Sequence, residues 1–236
     1  YQKLLQVPHE LHVVYEDDLM LIVNKPSGML SQKASESDIS LNESILSYLI
    51  HEGLLSEETY AVFHPSVANR LDRNTSGIVL AGKTLAGQQF LSDILRDRSA
   101  KKIYHCIVRG KVEEEMHLKG YLLKDERSNQ VQIFSDETQD AKPIETAYRP
   151  LVVGPDATLL EVHLITGRSH QIRAHLASIG HPIAGDPKYG DMVWNKKLRQ
   201  DFSVRSQLLH AYSITLPDGR TFIADEPEIF SQIMRG

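Results

Sequence analysis

The sequence predicts an α+β fold built on a mixed, mostly antiparallel sheet. Two observations carry that expectation. Short β-branched and aromatic segments outnumber amphipathic helical ones, and hairpin-type turns recur between them. The composition, 41% hydrophobic and 24% charged over 236 residues, is that of an ordinary globular chain with enough apolar material for a substantial core.

The elements follow in order. "LHVVYE" from Leu11 and "LMLIVNK" from Leu19 read as two strands, the second ending in the turn Lys25-Pro26-Ser27-Gly28. Ser40 and Glu43 form a capping box for a helix with Leu41, Ile45 and Leu49 on its apolar face and Gly53 as its stop. "GIVLAG" from Gly77 is a buried strand. "TLAGQQFLSDILRD" from Thr84 is an amphipathic helix expected to turn Leu85, Phe90, Leu91 and Ile94 inward. "KKIYHCIVRG" from Lys101 is a strand with Ile103, His105 and Ile107 on one face and Tyr104, Cys106 and Val108 on the other. Lys119 to Phe134 reads as a hairpin around Lys124 to Asn129. "ETAYRPLVV" from Glu145 and "TLLEVHLIT" from Thr158 are strands joined by Gly154-Pro155-Asp156. A helix is expected from about Ser169 to Ile179, stopping at Gly180. "SQLLHAYSITL" from Ser206 is a late strand before the Pro217-Asp218-Gly219 turn.

Charge and cysteine usage narrow the class. A net charge of −5 argues against indiscriminate nucleic-acid binding. The cations are nevertheless clustered. Arg96, Arg98, Lys101, Lys102, Arg109 and Lys111 gather with only Asp97 among them, and Lys188, Lys196, Lys197, Arg199 and Arg205 form a looser group. Such clusters fit either a solvated surface or a basic face for a polyanion. The single Cys106 fits a reducing, cytoplasmic setting and reads as a small buried apolar residue. Fully apolar runs such as Leu19 to Val23 are too short to cross a membrane. The opening Tyr1-Gln2-Lys3 has no Met, as expected of a trimmed fragment with room for a further domain upstream.

Two segments carry the residue types of a reactive site. In "ANRLDRNTSGIVLAGK", from Ala68, Asp72 lies between Arg70 and Arg73. If the segment is extended, Leu71 anchors it while Arg70 and Asp72 share the other face. The residue types leave open a turn-closing ion pair and a carboxylate held ionised for chemistry. In "ITGRSHQIRAHLASIGHPIAGDPKYGD", from Ile165, Arg168 is expected to enter a helix N-terminus, which favours anions. His170, His175 and His181 lack metal-ligand spacing and have no cysteine beside them, so capping, packing and hydrogen bonding are their expected roles. Tyr104 is either a core strand residue or a stacking platform beside the basic cluster.

These segments together resemble a known family. "NKPSGML", "NRLDRNTSGIVLAGK", "RSAKKIYHCIVRG", "TGRSHQIRAHLASIGHPIAGDPKYG" and "LHA" are similar, in order, to the motifs of RluA-type pseudouridine synthases. The resemblance runs from about Leu11 to the C-terminus. It implies a single catalytic domain over residues 1–236, its central sheet split into two helix-flanked subdomains with an active-site cleft between them. It implies isomerisation of uridine to pseudouridine in ribosomal or transfer RNA, without metal or organic cofactor. By motif, Asp72 is the catalytic aspartate, Tyr104 packs against the target base, and Arg168 pairs with Asp72. Arg70, Asn69, Lys25, Lys101, Lys102 and Arg173 are the residues assigned to substrate contact. The expected partner is RNA, with no membrane, and the chain is expected to act as a cytoplasmic monomer. Two positions depart from the family pattern: Asn69 stands where the family usually has His, and His105 where it usually has a small residue. The rival readings are a non-catalytic RNA-binding module of the same fold and a hydrolase using a carboxylate pair. The motif segments hold Asp72, Tyr104 and Arg168 intact but no second acid to pair with Asp72.

Overall fold

A computed structural model describes all residues, 1–236. The chain divides into two compact units, residues 1–100 with 213–224 and residues 101–212 with 225–236. No helix is long and apolar enough to cross a membrane.

In the first unit, β1 (Val13–Glu16) and β2 (Met20–Lys25) form a hairpin. Asp17 shapes its turn: one carboxylate oxygen accepts from the Leu19 and Met20 amides, both at 2.8 Å. β2 pairs antiparallel with β4 (Ser76–Gly82), from Met20↔Gly82 to Lys25↔Gly77. Both strands are buried almost throughout, hence their continuous apolar runs. β3 (Ser66–Val67) also pairs with β4. α1 (Leu41–His51) opens at the expected capping box, where the Ser40 amide donates to Glu43 at 3.0 Å. α2 (Glu57–Val62), a short second helix, follows it.

α3 (Leu85–Arg96) forms where expected but is rotated from the expected face. Leu91 and Ile94 are buried, whereas Leu85 is 66% exposed and Phe90 also faces solvent. Gly87 is the cause. A β-carbon there would lie 2.0 Å from the Leu19 carbonyl oxygen, so the helix backbone packs directly against the chain entering β2. The inward seam therefore runs Gly87, Leu91, Ile94, an i, i+4, i+7 stripe.

The second unit holds β5 (Lys101–Arg109), β6 (Met116–Asp125), β7 (Gln130–Phe134), β8 (Lys142–Val153) and β9 (Ala157–Leu164). They pair antiparallel in the order β5-β9-β8-β6-β7. The register sets the faces. Tyr104 lies opposite Val162, and Val162 opposite Tyr148, so the three share one face; Ile144 and Thr146 alternate onto that face too. α4 (Gln171–Ser178) packs there, with Ala174 against Leu122, Val131 and Ile144. Ile107 and Leu159 lie on the other face. They join a cluster with Leu198 of α5 (Met192–Phe202) and with Phe230 and Ile233 of α6 (Glu228–Arg235).

β10 (Leu209–Thr215) starts three residues after the sequence suggests. Its last residues pair with β11 (Thr221–Ile223) across the expected Pro217-Asp218-Gly219 turn.

Candidate active site

Asp72 sits on an irregular segment, Asn69 to Thr75, held by the loop that follows β2. Leu71 is the anchor: buried, with its amide donating to Ser31 Oγ at 3.0 Å and its carbonyl accepting from that hydroxyl at 2.9 Å. Beyond Asp72, the Arg73 carbonyl accepts from the Gly28 amide at 2.8 Å and from Lys25 Nζ at 3.0 Å. The Asn74 carbonyl accepts from Ser27 Oγ at 3.0 Å. The Asp72 carbonyl itself accepts from the Thr75 amide at 3.0 Å. Asp72 is thus fixed from both sides, half-buried, with exposed Arg70 and Arg73 flanking it. Gly77 meets Lys25 at the end of the β2–β4 ladder with φ +112°, a conformation that side chains other than glycine's resist.

Lys25 is a correction to the substrate-contact assignment. It is 0% exposed, and its ammonium donates to the Pro26, Met29 and Arg73 carbonyls at 3.0, 2.7 and 3.0 Å. All three donors are used inside the protein. Burial pushes Lys25 down to about 8, against the opposing pull of the Asp72 charge. Asn69 is similarly engaged. Its amide nitrogen donates to the Ile78 carbonyl at 3.2 Å, and its oxygen accepts from the Leu80 amide at 2.8 Å. The side chain thereby extends the β4 ladder. This departure from the family pattern stiffens the segment entering Asp72.

In the second unit, Tyr104 is mid-strand and 8% exposed, on the sheet face that carries α4. Lys102 alternates onto the same face and is close enough to Gly167 that a β-carbon there would lie 3.0 Å from its Nζ. Lys101 points to the opposite face, so the two lysines do not form one patch. His105 is also on the opposite face, stacked on Tyr212 with ring centroids 3.8 Å apart and its Nδ1 against Glu226. The larger residue beside the strand tyrosine therefore packs away from Tyr104.

Arg168 is exposed, in the turn before α4 rather than in its first turn. The helix begins at Gln171, because His170 adopts a left-handed conformation, φ 55°. The turn is held instead by the buried side chain of Gln171, which accepts from the Arg168 amide at 3.1 Å and the Thr166 hydroxyl at 2.8 Å. Sequence reasoning missed this residue, although it lies inside the motif that singled out Arg168.

Arg173 is a second correction. It is 4% exposed and grips buried Asp186 in a bidentate pair, at 2.6 and 3.0 Å. Burial opposes ionisation of Asp186, yet the Arg173 guanidinium and the Lys188 and Tyr189 amides hold its carboxyl below the usual range. This arginine braces the Gly185-Asp186-Pro187 corner instead of reaching substrate. The three histidines are bonded as sequence suggests. His170 Nδ1 meets the Tyr189 hydroxyl at 2.8 Å, His175 Nδ1 the Thr146 hydroxyl at 2.9 Å, and His181 Nδ1 the Arg109 carbonyl at 2.9 Å. Cys106 is fully buried, and burial pushes its thiol up, away from nucleophilic use.

Residues 19–178, which contain Asp72, Tyr104 and Arg168, match the family described as RNA pseudouridylate synthase. The chain belongs to this family. It is 38% identical over 213 residues to ribosomal large subunit pseudouridine synthase C of Haemophilus ducreyi, covering 90% of this chain and 63% of that relative. It is 34% identical over 212 residues to tRNA pseudouridine synthase C of Vibrio cholerae, covering 85% of this chain and 83% of the relative. The chain thus spans less than two thirds of the length of the ribosomal relative. The fold is shared with human RNA Pseudouridylate Synthase Domain Containing 4, at a TM-score of 0.75 and 18% identity over 94% of this chain and 91% of that one. The family's α+β fold agrees with the expectation from sequence.

Proposed function

We propose that this chain isomerises uridine to pseudouridine in structured ribosomal or transfer RNA, with Asp72 as the catalytic carboxylate. The observation that carries the reading is the family match over a segment whose Asp72 is held on both sides by main-chain hydrogen bonds. The reaction breaks the bond between C1′ and N1, turns the uracil over, and joins C1′ to C5. The C5 hydrogen leaves to water and N1 gains one, so product and substrate have the same composition. An ionised carboxylate meeting the ribose or the ring suits this chemistry, and fixing it before substrate arrives lowers the ordering cost of the reaction. Arg168, which lies in the same matched segment, supplies a guanidinium for the same reaction. Tyr104 offers its ring to the extruded base. Exposed Arg70 enters the space the base leaves and offsets the few kcal/mol that flipping costs. The protein works as a monomer in the cytoplasm.

The test uses RNA labelled with tritium at C5 of uridine. Stoichiometric tritium release, matched by pseudouridine on nucleoside analysis, is expected. Binding with no release leaves an RNA-binding module, and free uracil with tritium retained indicates a hydrolase; either result overturns the proposal.

A further inference from the structure

We propose that Gln171 is a positioning residue, setting the Arg168 turn through a closed, uncharged hydrogen-bond network; the proposal rests on the reading of Arg168 as a residue of the isomerisation. Gln171 is 2% exposed, and its amide uses its whole hydrogen-bonding capacity. The oxygen accepts from the Arg168 amide and the Thr166 hydroxyl. The nitrogen donates to the Glu145 carbonyl at 3.1 Å and to Thr146 Oγ1 at 2.9 Å.

Main-chain groups fix the amide's orientation. The Arg168 N–H can only donate and the Glu145 carbonyl can only accept, so a flipped amide would lose both bonds. Thr146, fully buried, accepts from Gln171, and its hydroxyl also hydrogen-bonds His175 Nδ1 at 2.9 Å. Burial holds His175 down at about 4, so its ring is neutral near pH 7 and the network carries no charge there. Thr166 is tied from the other side: the Glu145 amide donates to its hydroxyl at 2.9 Å, and the Thr166 amide donates to the Glu145 carbonyl at 3.2 Å.

The direction of each of Gln171's four bonds is therefore determined, from β8 through Gln171 to the backbone of Arg168. Gln171 and His175 are one helical turn apart, and both reach Thr146. The long, exposed Arg168 side chain is aimed from a backbone that the sheet holds in place. A loosened turn would leave the guanidinium present but misplaced, which costs rate more than RNA affinity.

Gln171→Leu tests this in two ways. Hydrogen exchange at the Arg168 amide should accelerate about tenfold while the β8 and β9 amides stay protected. Single-turnover rate at saturating RNA should fall roughly 10–100-fold with affinity within about threefold. The same substitution placed in an Arg168→Ala protein should lower its residual rate by less than about twofold, because the residue it positions is already gone. Unchanged exchange at Arg168, or equal rate losses in both backgrounds, overturns the proposal. Should Gln171→Leu fail to fold, Thr166→Val removes one bond to the same oxygen and is held to the same pattern. A wild-type rate in Arg168→Ala alone would instead sink the reading of Arg168, while the exchange measurement still judges the hold of Gln171.

Discussion

The segment carrying Asp72 and the turn carrying Arg168 solve one problem with opposite chemistry. Both must hold an irregular stretch of backbone still while its charged side chain remains available. In the first unit a buried cation does this: Lys25 bonds three carbonyls, one of them on Arg73, next to Asp72. In the second unit a neutral network of Gln171, Thr166, Thr146 and His175 does it. The charged device is strong but bears the cost of desolvating an ammonium, and it responds to alkaline pH. The neutral device carries no such cost and keeps its protonation until His175 titrates near 4.

Lys25→Met breaks the comparison at its charged side and should give the largest stability loss. Three bonds to a charged donor, each worth roughly 1.5–3 kcal/mol, disappear. About 3 kcal/mol of desolvation is recovered, because burial moves Lys25 from 10.5 to about 8. The net expectation is a loss of roughly 1.5–6 kcal/mol in chemical denaturation near pH 7, together with a lower turnover rate. An unchanged stability would mean that the carbonyls find other donors.

Alkaline titration sharpens the contrast. In the folded protein Lys25 loses its proton near 8, but in the unfolded chain near 10.5. Between those values the unfolded chain binds more protons, so this group makes stability rise with pH, by up to about 3 kcal/mol. Tyr48 works the other way, since desolvation and Glu16 push it up to about 12. Subtracting the Lys25→Met curve from wild type cancels that contribution. The difference should grow from pH 8 to pH 10.5; a flat difference would show that the three carbonyls keep the ammonium protonated.

Thr146→Val is the milder break, on the neutral side. It keeps the shape, leaves Gln171 Nε2 with one acceptor and removes the Thr146 partner of His175 Nδ1, at a cost of about 1–3 kcal/mol. Because no charge is involved, the loss should be the same at pH 7 and pH 9. A loss that varies across that interval would tie the network to a titrating group.

The sequence made the outline legible because several devices are local. The Ser40–Glu43 capping box and the Gly154-Pro155-Asp156 turn each act within a few residues. Asp72 and Arg168 also stood out, each inside a dense motif. The face of α3 was misread because a Gly87 contact with a carbonyl far along the chain outweighed the apolar pattern. Lys25 and Arg173 were assigned to substrate contact with the motifs that carry them, and lysine and arginine are rarely buried. What buries them is a carbonyl 48 residues away in one case and a carboxylate 13 residues away in the other. The α5 and α6 helices were passed over, although Asp191 caps α5 by accepting from the Trp194 amide.

Asp72→Asn tests the central claim most directly, because it nearly preserves shape while removing the negative charge. The measurement is single-turnover pseudouridine formation at saturating RNA, with a thermal melt and an RNA affinity taken on the same preparation. The account predicts no detectable pseudouridine, a loss of at least about four orders of magnitude, or more than ~5 kcal/mol of barrier. It also predicts a folded protein that still binds RNA, since phosphate contacts supply most of the affinity. A folded, RNA-binding Asp72→Asn protein with near-normal turnover would contradict it and leave Asp72 as a residue that only closes a turn.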